Sequence, residues 1–190
     1  MKTKLAMLTL AVSCALAGNA MALTKEEYKV QKDRVEADYK AGKDKCSSLS
    51  ANAKDICQAE AKGAEKVAKA ELEAQYKPSP SHDKKVRDAK ADAAYDVAKE
   101  KCDDLAGNAK DVCVKDAKAA RTTAKADAKV SKEAAEGSKD RAQNVADARK
   151  DANADKNEAL YKAAKERCDT LSGAPKDACQ NDAKAKFGMK

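Results

Sequence analysis

Apolar side chains recur at helical spacing in the region that begins near residue 28. Steps of seven, four, three, four and three residues separate the members of one series, which consists of Tyr28, Val35, Tyr39, Gly42, Cys46 and Leu49. Such a heptad-like stripe places its members on one face of an α-helix. A second, alanine-rich stripe begins at Ile56. The pattern therefore predicts two helices that pack against each other.

A cysteine pattern occurs three times along the chain. Each copy has a tyrosine, six residues, a cysteine, ten residues and a second cysteine, and the copies lie at 39–57, 95–113 and 161–179. Six cysteines can pair in many ways, but the repeat favours partners within one copy. We therefore predict three disulfides, which join Cys46 to Cys57, Cys102 to Cys113, and Cys168 to Cys179.

The residues between paired cysteines contain signals that end one helix and begin another. Gly107 and Gly173 occupy a position where a helix ends in a left-handed residue, and Ala51 takes that place in the first copy. Asn52 and Asn108 follow at positions typical of an N-cap. These signals predict a short turn between two helices.

The third copy and the start of the first copy carry other helix-start signals. Ala174 replaces the asparagine, but Pro175 follows at the first helical position, where proline is favoured. Residues 24–27, Thr-Lys-Glu-Glu, fit the capping box that begins an α-helix. Each copy therefore predicts a helix, a short turn and a second helix.

Helix geometry is compatible with the predicted disulfides. Antiparallel helices with small contact residues pack about 8–10 Å apart, and each Cα lies about 2.3 Å from its axis. Facing Cα atoms are then roughly 3.5–5.5 Å apart, which overlaps the disulfide range of roughly 4.4–6.8 Å. The predicted fold is all-α, with three elongated antiparallel helical hairpins, each stapled by one disulfide and joined by short linkers.

Proline and glycine divide the chain between the copies. Pro78 and Pro80 mark the clearest linker, and Gly137 marks a weaker break. The cysteine pairs are unequally spaced, which favours tethered hairpins over a strictly periodic solenoid. The predicted organisation is a signal peptide at 1–22, hairpin 1 at 23–77, a linker at 78–83, hairpin 2 at 84–137 and hairpin 3 at 138–190.

The first residues have the features of a secretory signal peptide. Two lysines precede a mostly apolar run at 5–17, and the small residues Ala-Met-Ala at 20–22 predict cleavage after Ala22. A membrane anchor is one alternative, but the run is shorter than the roughly 20 residues required. A lipoprotein acylated at Cys14 is another, although the preceding residues match a lipobox poorly.

Cleavage after Ala22 leaves an even number of cysteines, which predicts an exported, disulfide-bonded protein in the periplasm or outside the cell. No transmembrane segment is predicted in the mature chain.

Composition limits the functions open to the chain. Lys and Arg outnumber Asp and Glu by 39 to 32, and 37% of the residues are charged, a composition that also occurs in disordered chains. Ala, Lys, Glu and Arg are nevertheless strong helix formers. The sequence has no Trp and one Phe, so little apolar area is available for a core. A globular enzyme domain is hard to build from this material.

Candidate catalytic and metal-binding groups are few in the sequence. The single histidine, His82, lies in the proline linker without a Ser/Asp or Cys partner. Residues 151–157 begin like a calcium-binding loop, but Lys156 and Lys162 replace its glycine and glutamate. The cysteines lack the two-residue spacing of thioredoxin-like motifs, so a thiol–disulfide role is the weaker alternative. We predict no catalytic residue, no metal and no cofactor.

The most basic stretch, residues 114–132, is a candidate surface for anionic polymers. Two acidic residues accompany its six cations, which are Lys115, Lys118, Arg121, Lys125, Lys129 and Lys132. Such a charge density attracts nucleic acid, lipopolysaccharide or acidic polysaccharide. A solvated helix face is the simpler interpretation, because the stretch has no aromatic residue to stack on bases.

Much of residues 25–190 is rich in Ala, Lys, Asp and Glu, and in this composition it resembles the helical stalk of TolA-type bacterial envelope proteins. We expect the chain to depart from that family in having a cleavable signal, a tripled cysteine motif and no C-terminal globular domain, so no TolA function is transferred to it. We predict a non-catalytic envelope protein with a structural, interaction or stress-related role. Its expected partner is an unknown protein or envelope component, and the alternative partner is an anionic polymer.

Overall fold

The structure, a computed structural model, describes residues 22–190. Every regular element in this range is helical, which confirms the predicted all-α class. The elements are α1 (Lys25–Lys45), a short 3₁₀ turn (Cys46–Ser48), α2 (Ala51–Tyr76), α3 (Pro80–Cys102), α4 (Gly107–Ala135), α5 (Arg141–Cys168) and α6 (Gly173–Phe187). Apart from Ala22, the predicted signal peptide lies outside the described residues.

Helix α1 begins with the predicted capping box. The Thr24 hydroxyl accepts a hydrogen bond from the Glu27 N–H at 3.2 Å, and the Thr24 N–H donates to the Glu27 carboxylate at 2.8 Å. These bonds satisfy donors that have no partner inside the helix. Two hydrogen bonds from Thr24 lower the pKa of Glu27 because they favour the ionised carboxylate. The bond from the Thr24 backbone has the larger effect, and the bond from its hydroxyl has the smaller one.

Helix α3 begins at Pro80, inside the predicted linker at 78–83. Proline is accommodated at the first helical position because the N–H that it lacks would have no partner there. The Ser79 hydroxyl caps the helix by accepting a hydrogen bond from the His82 N–H at 3.1 Å, and it also lies 2.8 Å from the His82 Nδ1. His82, which the sequence places in the linker, therefore belongs to the first turn of α3.

The three turns next to the cysteines share one backbone conformation. Gly107 and Gly173 have φ angles of 55° and 59°, and Ala51 has a φ angle of 49°. The left-handed conformation agrees with the prediction, but its expected place at the end of the first helix is wrong, because these residues begin the second helix of each pair. Left-handed backbone is open to glycine but costs other residues roughly 1–2 kcal/mol. The first turn therefore carries strain that the other two avoid.

The helices form a single layer in which each one packs against its neighbours in the chain. Within residues 22–190, all the helix–helix contacts join consecutive helices. We call α1–α2, α3–α4 and α5–α6 the first, second and third helix pairs, and we call the α2–α3 and α4–α5 contacts the first and second junctions. The junctions are more extensive than the contacts within the first and third pairs. Short connections thus join helix pairs that also pack closely on one another.

Small side chains fill the space between the helices. Leu72 is the one buried leucine of the described chain, and the buried alanines are Ala91, Ala119, Ala126, Ala128, Ala148, Ala152, Ala163 and Ala183. At the first junction, a Cβ placed on Gly63 would lie 2.8 Å from the Cβ of Ala93. Because alanine buries little apolar area, close approach of the backbones provides much of the contact.

Replacing Ala51 by glycine tests the strain in the first turn. Ala51→Gly relieves the left-handed conformation, so we expect the free energy of unfolding to rise by about 0.5–1 kcal/mol. The reverse change in the second turn, Gly107→Ala, should lower it by about 1 kcal/mol. Denaturant unfolding of the disulfide-bonded protein measures both changes. A Gly107→Ala variant as stable as the wild type would contradict this description of the turns.

A methyl group at the first junction should be harmful, whereas one in α1 should not. Gly63→Ala forces a contact that the Ala93 backbone cannot easily avoid, and we expect it to lower the free energy of unfolding by about 1–3 kcal/mol. In the matched control Gly42→Ala, the new Cβ would lie 3.5 Å from the Cβ of Ala61, an ordinary contact. The control should be neutral or stabilising by up to about 1 kcal/mol. Equal effects in thermal unfolding would count against close packing at the junction.

Candidate functional site

Each helix pair is joined by one disulfide next to its turn. The Cα–Cα distances are 5.6 Å for Cys46–Cys57, 5.6 Å for Cys102–Cys113 and 5.7 Å for Cys168–Cys179. These are the three pairings that the repeat predicts. The repeat therefore produces the same local geometry in each copy.

The first cysteine of each disulfide is buried where the two helices meet. Cys46, Cys102 and Cys168 are at most 1% exposed, and the second cysteine of each disulfide is half-buried. Exchange requires a thiolate to reach a sulfur, so burial of one sulfur shields the bond. Closing a loop this short contributes about 2–3 kcal/mol. The arrangement suits a structural crosslink.

Asparagine side chains connect each helix pair to the next one. The Asn52 amide donates to the backbone carbonyl of Glu100 at 2.8 Å, and the Asn108 amide donates to the carbonyl of Glu166 at 2.9 Å. The donors occupy equivalent positions of the repeat, as do the acceptors, which lie just before the first cysteine of the next pair. We call these two contacts the junction bonds.

The junction bonds satisfy the ends of α3 and α5. The last carbonyl groups of a helix have no partner within that helix. Those of Glu100 and Glu166 lie in such last turns, and besides the asparagine amide they accept the backbone N–H of Asp103 and Asp169. Their positions in the sequence predict that Asn52 and Asn108 cap their own helices. In the structure their amides instead cap the C-terminal end of a helix in the neighbouring pair. This role was missed because a single copy of the repeat does not reveal which turns lie side by side.

The first and third pairs differ from the second at the positions of the junction bonds. The third pair has Ala174 in place of the asparagine. In the first pair, the carbonyl equivalent to those of Glu100 and Glu166 belongs to Asp44, and it accepts a hydrogen bond from the Ser47 hydroxyl at 2.6 Å. Ala174, interpreted from the sequence as a lost helix cap, was the one available signal that the asparagine serves a junction.

Ion pairs also span both junctions. At the first junction the Lys66–Asp96 and Lys90–Glu71 distances are 3.0 Å and 2.7 Å. The second junction has four such pairs, which are Lys115–Glu166, Lys129–Asp151, Lys156–Asp127 and Arg167–Asp116. Every one of these pairs has a well-exposed partner, so each contributes about 0–1 kcal/mol. Their alternating charges favour one register of the helices.

Five of the six cations predicted to bind anionic polymers are engaged in ion pairs. The pairs are Lys115–Glu166, Arg121–Asp92, Lys125–Asp92, Lys129–Asp151 and Lys132–Glu136. The sixth cation, Lys118, lines a cleft that also contains Asp155 and Glu158. All six lie on α4. This pairing reduces the positive charge that the α4 surface offers to a polyanion.

Asp92 on α3 binds two of these cations within the second pair. Arg121 and Lys125 approach its carboxylate at 2.5 Å and 2.9 Å. Partial burial acts to raise the pKa of Asp92, but hydrogen bonds from Lys125 and Arg121 outweigh burial and hold the pKa below its usual value. Arg121 also lies 5.1 Å from the centre of the Tyr95 ring, at cation–π distance. These contacts hold α3 against α4.

The first junction has two chemically different sides. One side is an apolar groove lined by Gly63, Ala64, Val67, Ala68, Ala93, Ala94, Val97 and Ala98, with Glu60, Glu71 and Lys101 at its rim. The other is a polar cleft that includes Tyr39, Lys62 and Asp96. Lys62 and Ala64 are two positions apart, which places them on opposite sides of α2. The junction therefore presents an apolar surface and a charged surface.

The structure also locates the remaining candidate sites. Residues 151–157, which resemble the start of a calcium loop, lie inside α5, where side chains point in different directions around the axis. Among residues 22–190, no cluster of three or more His, Cys, Asp or Glu side chains could hold a metal ion. In the same range no helix combines the length and apolarity needed to cross a membrane.

Together these features define a class of structure: a single layer of helices crosslinked by disulfides within pairs and by asparagine between pairs. No family model, curated protein or solved structure matches the chain. The resemblance to TolA-type stalks stays a prediction from composition.

Removing the junction bonds should weaken the layer. We expect Asn52→Ala and Asn108→Ala each to lower the free energy of unfolding by about 0.5–1.5 kcal/mol, because a helix-end carbonyl loses one of its two hydrogen bonds and the contact between the pairs is lost. The matched control is Ala174→Asn at the equivalent exposed position of the third pair, which should change stability by less than about 0.5 kcal/mol. Denaturant unfolding without reductant compares the three variants. Loss of stability in the control alone would contradict the junction role.

Proposed function

We propose that this protein is a non-catalytic, exported scaffold of the cell envelope. The observation that carries the proposal is the engagement of all six cysteines of residues 22–190 in equivalent crosslinks, each with one sulfur buried. Disulfides of this kind persist in oxidising compartments such as the periplasm. The burial supports a structural role over the weaker alternative, a part in thiol–disulfide exchange. The signal peptide at 1–22 is part of the proposal.

We infer further that each helix pair is an antiparallel hairpin. The two helices of every pair are separated by a few residues, contact each other and are crosslinked beside the turn. A chain that forms these contacts over so short a connection reverses its direction. Three such hairpins, joined at two junctions, make a scaffold that is stiff and has little bulk.

A scaffold of this form acts by holding or presenting a surface, and the apolar groove of the first junction is the surface best suited to a partner. Apolar patches bordered by charged residues are common at protein interfaces. The alternative, binding of anionic polymers through α4, is less well supported because five of its six cations already pair with carboxylates. We therefore favour an envelope protein or other envelope component as the partner.

Photo-crosslinking in living bacteria tests this function. A photoreactive residue at Ala94, which is exposed in the groove, should yield a discrete adduct with an envelope component, whereas the same residue at Lys62 in the polar cleft should not. The adduct should weaken in Gly63→Ala, which disturbs the junction. Adducts from Lys62 alone would contradict the groove as the partner surface. Retention on heparin that falls steeply with salt would favour the polyanion alternative instead.

A further inference from the structure

The C-terminal end of α2 differs in charge from the ends of the other described helices. The last turns of α1, α3, α4, α5 and α6 contain lysine or arginine, whereas the last turn of α2 contains neither and includes Glu73. A helix C-terminus carries partial negative charge, which a cation stabilises and a carboxylate does not. Lys77 follows α2, but its ammonium lies over the ring of Tyr76, 5.3 Å from the ring centre.

The residues that precede α1 lie against this end of α2. The Leu23 N–H donates to the carbonyl of Gln75 at 3.3 Å, and the Tyr28 hydroxyl donates to the Glu73 carboxylate. Leu23 is half-buried, whereas Ala22 is exposed. Within the described chain, Leu23 is therefore the first residue held against the helices.

We propose that cleavage between Ala22 and Leu23 supplies the missing cation at the end of α2. This inference rests on the proposed export, because an endopeptidase of the export system performs the step. Water adds to the Ala22 carbonyl carbon, the bond to the Leu23 nitrogen breaks, and that nitrogen leaves as an amine. Ala22 retains a carboxylate and departs with the signal peptide. The Leu23 amine takes up a proton and is mainly charged at neutral pH.

The new ammonium occupies the position of the amide that already bonds to Gln75. It keeps a donor for that carbonyl and adds a positive charge, and charge-assisted hydrogen bonds are the stronger ones. The carboxylate of Glu73, which accepts the Tyr28 hydroxyl through one of its oxygens, lies in the same turn and attracts the ammonium. Processing therefore closes the first helix pair more firmly than the uncleaved chain allows.

Three forms of the mature chain separate the charge from the hydrogen bond. The first begins with a free Leu23, the second carries an acetyl group on Leu23, and the third begins at Ala22. Acetylation keeps the N–H donor and removes the charge, while the additional alanine moves the charge outward. Hydrogen exchange of the amides in the last turn of α2 should be roughly two- to fivefold slower in the first form than in the others. Exchange in the last turn of α6 is the internal control and should be the same in all three.

The outcomes distinguish this inference from the proposed function. Equal exchange rates at the end of α2 in the three forms would overturn the role of the charge. N-terminal sequencing of protein from the periplasmic fraction should give Leu23 as the first residue. An exported chain that begins elsewhere would overturn the inference while leaving export intact. Absence of the protein from the periplasmic and secreted fractions would overturn the proposed function itself.

Discussion

Helices that meet through alanine and glycine gain little from the burial of any one side chain, and this constraint governs the rest of the structure. Contact has to come from close approach, as it does where Gly63 faces Ala93 at the first junction. Such contacts form only if the helices are held in register, because a small shift replaces a methyl group by a gap or a clash. The polar and covalent crosslinks supply that register.

The crosslinks alternate along the edge of the layer where the turns lie. A disulfide joins the helices of the first pair, the Asn52 junction bond reaches the second pair, and the same order repeats through Asn108 to the third pair. Each disulfide limits the unfolded chain locally, and each junction bond completes a helix end in the neighbouring pair. The exposed ion pairs add charge complementarity between helices but contribute little energy.

Much of the local structure can be predicted from the sequence, because its determinants are local. Each of these determinants acts over a short stretch of sequence. They are the cysteine spacing, the left-handed Ala51 and its glycine counterparts, and the capping box at Thr24. Helix α3 begins inside the predicted linker, because proline breaks a helix interior but is accepted at the first helical position. The junctions could not be predicted, since alanine-rich faces look alike in sequence and do not specify which helices meet. The pairing of Lys115 and Lys129 with carboxylates of α5 depends on that same packing.

A distance measurement between the first and third turns tests most directly whether the three helix pairs form one continuous layer. Ser48 and Thr170 are both exposed in their turns. Each is replaced by an unnatural amino acid that carries a spin label without a cysteine, so that the disulfides stay intact. Pulsed electron paramagnetic resonance then reports the distance between the two labels. Four helix-to-helix steps separate the two turns, so we expect one narrow distance distribution centred at roughly 30–40 Å if the layer is continuous. A broad distribution, as produced by hairpins moving independently on short linkers, would contradict it.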